Sequence, residues 1–579
     1  MAHMRCLRLL FAASLFVCFA VAQAHYHQAD QTAPEIDLSK LPAPVRMDGI
    51  GHSHIDITTQ SKEAQQWFDQ GIALLHCFWD YEAMRAFEQS MRLDADCAMC
   101  HWGLYRALDF ADRKKAAQAE LAKARELMPK ASDHEQYYIR AATKQQEDKD
   151  KGNDKSTAYR DEMQKLIVKY PDDVEAKLFL IDGGLEWGYD ANGDPRHDTI
   201  YVQTMLRDII HADPRNAAAH HYYIHAVESG AHPEWALDSA SVLGKLAPAS
   251  GHMVHMPGHI YYRVGDYEKA RQAFLSALDV DQQYMQRQHV SPKDDWNYAH
   301  NISYLISACA EAGRLHEAQT LLARLEGLSD NPDHSDSPGF YVFQIAATGA
   351  RLDIRFAQWR RVIDRPISFG VPDADVNPFA LAWRDGLIAY ARGMQALEAK
   401  DIDGAAAQSD KLDALLWRAS QKDAAENQKW MQGRVEKILS VASLELRGNI
   451  ASARGQFEQA RDLLQEAAKK EKDIGYSEPP MYSRPAQESL GFACIRAGRW
   501  DDARAAFQQV LEERPKSGFG LYGIALAWDQ QGNREKASAA YEAFLDAWKN
   551  ADNDLPQVEA ARAYLKPIAA RVALSKSRE

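Results

Sequence analysis

The chain has 579 residues, enough for three or four domains or one long repeat array. Hydrophobic residues make up 46% and charged residues 26%, which excludes a disordered, collagenous or disulfide-dense chain. The 68 Lys+Arg against 82 Asp+Glu give a net charge of −14, which argues against a duplex nucleic-acid binder and against a basic membrane-surface role. Gly and Pro are sparse and Ala, Glu, Gln and Leu abundant, so helix is the expected element.

Residues 1–24 read as a cleaved secretory leader. Arg5 and Arg8 supply the positive start, an apolar run follows from Leu9 to Val21, and Ala22 and Ala24 supply the small residues a signal peptidase needs. The run is shorter than the ~20 residues of a membrane span. The expectation is a product without a membrane span, in a periplasm or outside the cell. Past the leader the cysteines are Cys77, Cys97, Cys100, Cys309 and Cys494, too few for a disulfide framework.

Residues 25–48 are polar and Pro-bearing and read as an extended arm. Beyond them a short skeleton recurs. It is clearest in residues 258–278, where the turn Gly265 is followed by Tyr267, Ala270, Phe274 and Ala277. It recurs at 79–84 (with Phe87), 313–318, 400–405, 455–460, 498–503 and 532–537, with a degenerate copy at 231–236. Ala lets one helix approach the other, and aromatic residues fill the gap to the next pair. The skeleton resembles the tetratricopeptide repeat, a helix–turn–helix unit. The predicted fold is therefore all-α, a right-handed superhelix of such units. A first array spans 49–325, an irregular or degenerate connection 326–380, and a second array 381–570. Residues 131–200 also lack the skeleton. Pro171, Pro195, Pro332, Pro338, Pro366 and Pro372 punctuate these gaps.

Three further segments, 96–103 (DCAMCHWG), 252–261 (HMVHMPGHIY) and 477–482 (SEPPMY) leading into 487–491 (QESLG), resemble a family of large secreted bacterial tetratricopeptide proteins. The resemblance implies the fold and assigns no activity, so function has to come from a site.

The strongest site signal is histidine. Nine of the 21 His lie between His220 and His300. In the repeat, the first helix faces the concave groove at positions two, five, nine and twelve. With Gly265 at position fifteen, His252, His255, His259 and Tyr262 take those four places. The preceding unit places His221, His225 and Glu228 at five, nine and twelve, and the following one places His300 at two. Imidazole is a ligand for Zn, Cu, Fe and Ni. His221/His225 and His255/His259, each four apart on a helix, are expected to share ions in a mononuclear or binuclear site, copper first, then iron or zinc. Glu228 is expected as ligand or general base, Tyr262 as a catalytic candidate, and Tyr222, Tyr262 and Tyr298 as outer donors. The competing reading is a groove of polar side chains for an extended peptide or small molecule. Pro257, inside the helix carrying His252 and His255, predicts a kink or a later helix start.

Other signals are weaker. Cys97, Cys100 and His101 match the C-x-x-C-H pattern of covalent haem attachment, with a local disulfide or buried thiols as the alternative. Cleavage after Ala24 would expose His25, Tyr26 and His27, a square-planar site for copper or nickel. Residues 190–194 (DANGD) resemble the start of a calcium loop but lack its Gly and Glu. His52 and His54 stand alone. No metalloprotease, phosphate-loop, nucleophile-elbow or dinucleotide pattern occurs. The chain thus reads as an exported repeat protein with a His-rich metal site, possessing metal-dependent oxidoreductase chemistry if it is an enzyme. The alternatives are a peptide- or protein-binding scaffold and a c-type haem electron carrier.

Overall fold

The structure is a computed structural model that describes residues 41–150, 157–292, 295–328, 341–425 and 428–576. The leader and the His25–His27 motif lie outside the described residues. Antiparallel helix pairs follow one another along the chain: α1 (Lys62–His76) with α2 (Asp80–Leu93), α3 (Ala98–Phe110) with α4 (Lys114–Leu127), α5 (Asp133–Lys149) with α6 (Thr157–Lys169), and α7 (Val174–Gly184) with α8 (Thr199–Ala212). Next come α9 (Ala217–Glu228) with α10 (Leu237–Leu246), α11 (Gly251–Arg263) with α12 (Tyr267–Gln288), α13 (Trp296–Glu311) with α14 (Leu315–Glu326), and the short α15 (Thr348–Arg355) with α16 (Trp359–Asp364). The second half continues with α17 (Pro378–Glu398) and α18 (Ile402–Ser420), α19 (Lys429–Ala453) and α20 (Phe457–Lys472), α21 (Ala486–Arg496) and α22 (Trp500–Glu513), α23 (Gly518–Gln530) and α24 (Arg534–Ala547), and a closing α25 (Pro556–Lys576). Among the described residues the sheet content is one hairpin, β1 (Trp187–Tyr189) against β2 (Pro195–His197), with Gly188 opposite Arg196. No helix among them is long and apolar enough to cross a membrane.

The packing explains the repeat skeleton. The Phe87 ring sits between Gly71 and Gly103, where an added β-carbon would come within 2.6 and 2.4 Å of it. Phe507 sits in the same way between Gly491 and Gly523, at 2.6 and 2.3 Å. In these pairs a glycine on the first helix receives the aromatic side chain of the second, and the same ring reaches a glycine of the next pair.

The turns follow one geometry. Gly265 is left-handed at φ 77°, and a β-carbon there would meet the Pro515 carbonyl oxygen at 2.0 Å. Gly313, Gly455, Gly498 and Gly532 occupy the same place in their pairs, with φ of 70–83°. The first pair corrects the sequence register by one residue. Its left-handed turn position is held by Phe78, φ 54°, and its close-packed Ala is Ala83, whose N–H bonds to Trp79 O as that of Ala270 bonds to Asp266 O. A β-carbon in this region costs about 1–2 kcal/mol. Turns at Asp112 and Ala357, φ 55° and 54°, mark pairs that the sequence skeleton did not show.

The 131–200 gap is two ordinary helix pairs with a β-hairpin inserted. Its DANGD segment is the hairpin turn. The Asp190 carboxylate accepts the N–H groups of Asn192 and Asp194 at 2.8 and 3.0 Å, so the calcium reading is replaced by a turn.

The first pair is not left at one end of an open spiral. The end of α1 meets α9, with His76 Nδ1 2.9 Å from the Tyr222 hydroxyl, and Tyr284 of α12 donates to Glu82 of α2 at 2.7 Å. On the opposite side, Arg514 pairs with Glu311 at 2.9 Å and Trp548 donates to the Glu311 carbonyl at 2.8 Å. The units α9–α14 are thus clasped from both sides. The groove expected to be a ligand channel is filled there by the α1–α2 turn and by the 473–485 segment.

Candidate metal centre

Three helices build the site. Asn216 caps α9 by accepting the Ala219 N–H at 2.8 Å, and Ser250 caps α11 by accepting the Met253 N–H at 3.3 Å. The α11 helix runs unbroken through Pro257, so His252 and His255 stand on the helix and not on an entering loop. All twelve residues of α9 are buried, which is why its hydrophobic pattern is not one-sided.

The six His fall into two groups of three, His221/His225/His252 and His255/His259/His300. All six are 0–6% exposed. The grouping crosses the helices, since His252 leaves its helix-mates to join the α9 pair. In the first group, His221 Nε2 lies 3.1 Å from both His252 Nε2 and His225 Nε2. In the second, His255 Nε2 lies 2.6 Å from His259 Nε2, and the His300 ring centroid is 4.9 Å from that of His255.

The outer nitrogens show which way each ring faces. His221 Nδ1 is 2.7 Å from the His76 carbonyl, which only accepts, so this nitrogen carries the proton and Nε2 carries a lone pair. His252 Nδ1 faces Asn297 Oδ1 at 3.2 Å, and that amide is oriented by its NH2 donating to Asp281 at 3.0 Å. His255 Nδ1 faces Asn301 Oδ1 at 2.8 Å, oriented in turn by donation to the Phe274 carbonyl at 2.9 Å. Glu228 takes His225 Nδ1 on one oxygen and His259 Nδ1 on the other, both at 2.6 Å. Five rings are therefore anchored through Nδ1 and turn Nε2 inward. Burial holds His225 and His300 down at about 4, and His252, His255 and His259 well below the ordinary imidazole range. Neutral rings with opposed lone pairs repel unless something electrophilic sits between them. Nitrogens held ~2.0–2.1 Å from a tetrahedral ion would be roughly 3.3 Å apart, near the 3.1 Å seen in the first group.

The surrounding residues revise several sequence expectations. Glu228 touches the outer nitrogens of both groups and so joins them, and with His225 and Glu478 it also forms a third cluster of potential ligand atoms. Burial pushes its carboxyl up to about 8, against the pull of Tyr476 and Arg263. Tyr262 is set back from the histidines. Its ring packs on Tyr304 at 5.3 Å, and it is Tyr304 that meets His259 at 4.7 Å. Tyr222 bonds to His76, and Tyr298 receives Arg324 at 2.8 Å, so neither donates to a ligand ring. His220 is held by Ser239 and the Pro214 carbonyl, outside both groups. His54 is tied between Asp56 and Asp69 at the surface.

Cys97 and Cys100 are bonded to each other. The Cys97 sulfur also caps α3, and His101 uses both ring nitrogens, on Glu120 at 2.6 Å and the Ala95 carbonyl at 3.2 Å. The bridge is the arrangement that the local-disulfide alternative expected.

Sequence reasoning missed several neighbours. Phe78 covers the first group, its ring 4.5 Å from that of His221. Glu478 stands 3.5 Å from His259 Nδ1, and the Tyr476 hydroxyl donates to Glu228 at 3.3 Å. Both arrive from the 473–485 segment, which stands out in the sequence by its resemblance and not by its chemistry. Asn297 and Tyr304 were within reach, since they stand three before and four after His300, and Asn301 stands four after Asn297 and three before Tyr304.

Among known families, the tetratricopeptide-repeat models match residues 253–284 and, in two overlapping stretches, 445–517 and 493–552. No match to the sequence is found among curated proteins. Similar solved structures include the APC/C hetero-tetramer Cut9–Hcn1, with 15% identity over 90% of this chain and 79% of that one, at a TM-score of 0.28. Yeast Tom70 is similar at 13% identity over 90% of this chain and 100% of that one, TM-score 0.29. The human IFIT1 dimer is similar at 12% identity over 78% and 90%, TM-score 0.33. Superposition this loose carries no functional argument. The helix pairs, the glycine–phenylalanine interlock and the family matches show that this chain contains tetratricopeptide repeats in an all-α fold.

Proposed function

We propose that this protein holds two transition-metal ions inside its α9–α13 repeats, one in each histidine triad, and uses them in redox chemistry on a small molecule. The observation that carries the reading is the shared orientation of the rings. Nδ1 is anchored on a carbonyl, an amide or a carboxylate, and Nε2 points to a common centre. Three neutral imidazoles per ion favour copper, with iron or zinc next. Burial of all six rings favours a small reactant over a peptide laid along the groove. The leader-like residues 1–24 and the Cys97–Cys100 bridge support work in an oxidising compartment outside the cytoplasm.

The test is metal content by plasma mass spectrometry on protein purified without chelators and on protein reconstituted with each ion. Two equivalents of one metal support the reading. A chain that takes up none of copper, iron or zinc contradicts it.

A second reading is favoured by the family match over 445–552: the outer repeats bind a peptide or protein, the common use of such arrays. It is compatible with the first, and it predicts that a partner captured by the native protein is still captured by a variant with no metal.

A further inference from the structure

Among the described residues five helix-pair turns place glycine at the left-handed position, and the first pair places Phe78 there, at φ 54°. Asp112, Ala357 and Lys400 stand at the equivalent position of other pairs, so Phe78 is the one aromatic residue among them. A bulky residue in that region is strained and persists only where its surroundings hold it. What the conformation achieves is a ring position. The Phe78 centroid is 4.5 Å from that of His221, 5.4 Å from His225 and 5.6 Å from His252, so one phenyl ring covers all three members of the first triad. Phe78 also stacks on Phe110 at 5.7 Å and 29° and on Tyr222 at 5.8 Å and 27°. Phe78 is buried and Phe110 half-buried, so on this side the order outward is triad, Phe78, Phe110, while half-buried Trp296 meets His252 at 5.3 Å on another.

The second triad is walled differently. Tyr304 meets His259, and Glu478, one-fifth exposed, approaches the same ring. Phe274 packs on the second triad too, 4.7 Å from His255, but on the His259 side that triad meets the polar groups of Tyr304 and Glu478, whereas Phe78 lies over all three rings of the first. An anion crossing between two phenyl rings would have to leave its hydration shell without replacement, whereas a small apolar molecule would not.

We propose that Phe78, backed by Phe110, determines what reaches a metal in the first triad, admitting small uncharged molecules of the carbon monoxide or dioxygen class and excluding anions. The inference rests on the two-metal reading above.

The experiment uses the full chain, copper-loaded, with metal content measured on every sample. Azide binding to copper(II) is followed by its charge-transfer absorption in stopped flow, and carbon monoxide binding to copper(I) by its infrared stretch. The wild type should bind carbon monoxide while azide associates slowly. Phe78→Gly relieves the backbone and removes the ring, and azide association should rise at least 10-fold. Phe78→Leu keeps apolar bulk and should stay slow. Phe110→Ala, at a partly exposed site, should give a smaller rise, and it serves should the glycine variant fail to fold. Equal azide rates in the wild type, Phe78→Gly and Phe110→Ala, all holding two equivalents of copper, would overturn the proposal and leave the metal reading standing. A chain that holds no copper removes both.

Discussion

Two buried polar regions of this molecule handle charge in opposite ways. At the clasp, Glu311 is paired with Arg355 at 2.8 Å and Arg514 at 2.9 Å, Arg355 also reaches Glu488 at 2.8 Å, and Ser517 donates to Glu311 at 2.9 Å. The two guanidinium groups hold the Glu311 carboxyl below its ordinary range despite complete burial. In the histidine interior, Glu228 is just as deep but is pushed up to about 8. Its close neighbours are neutral imidazoles and a second carboxyl, Glu478. The first region is complete in the polypeptide alone: every charge has a counter-charge, and its role is to join distant repeats. The second gathers lone pairs and carboxyl groups without enough positive charge to match. That difference is the one expected between a structural network and the proposed binding site.

The comparison can be broken from either side. The largest effect belongs to the ligands. His259→Ala should remove the ion of the second triad while the first stays filled, and His221→Ala should do the reverse, each read as a fall from two equivalents to one. Loss of both ions from either variant would show one shared site instead of two. Next is the clasp. Arg355→Met leaves Glu311 and Glu488 short of a partner and should cost about 3–5 kcal/mol in urea unfolding, with metal content unchanged. An Arg355→Met variant as stable as the wild type would mean that the network does not hold the repeats together. Third come the outer anchors. Asn301→Leu frees the His255 ring and should weaken metal affinity ~10–100-fold without changing stoichiometry, measured by competition with a chromogenic chelator. Unchanged affinity would place Asn301 outside the site's function.

How far the sequence could be read follows the same division. The repeat skeleton displayed most helix pairs because the Gly, aromatic and Ala positions are dictated by local packing. The six histidines were legible because helix phase fixes which face they share. What phase could not show is the partition. Helical spacing pairs His252 with its helix-mates, but the stagger between α9 and α11 brings it to His221. Tyr262 shares the face of His255 but stands two turns further along the helix, where its ring packs on Tyr304. Glu478 and Tyr476 lie some two hundred residues from the rings they approach, and nothing in local pattern encodes that closure. Phe78 was hidden because the expected turn glycine is missing there, which shifted the apparent register by one. At Cys97–Cys100 the motif was ambiguous, and the contacts of His101 with Glu120 and Ala95 were not legible in it.

The smallest effect is the response of metal-free protein to acid. His225, His252, His255, His259 and His300 are all held below their unfolded value of 6.5. Each contributes stability that is fully present above 6.5 and is lost as pH falls toward the folded value, about 4 for His225 and His300. Glu228 and Glu478, raised in the fold, run the opposite way, two carboxyls against five rings. Glu311, lowered from 4.5, loses its contribution only below that. Urea unfolding should therefore show a first loss between pH 6.5 and 4, moved to lower pH by bound metal, and a second below 4.5. A flat profile down to pH 4.5 would contradict the neutral-imidazole interior.

The most direct test of the central claim is anomalous diffraction from crystals of the metal-loaded protein, with data collected on both sides of the absorption edge of the metal. The account predicts two peaks. One lies among the Nε2 atoms of His221, His225 and His252, and the other among the ring nitrogens of His255, His259 and His300, with nitrogen distances of about 2.0 Å. Full-strength peaks elsewhere, with the six rings packed together and no ion between them, would contradict it.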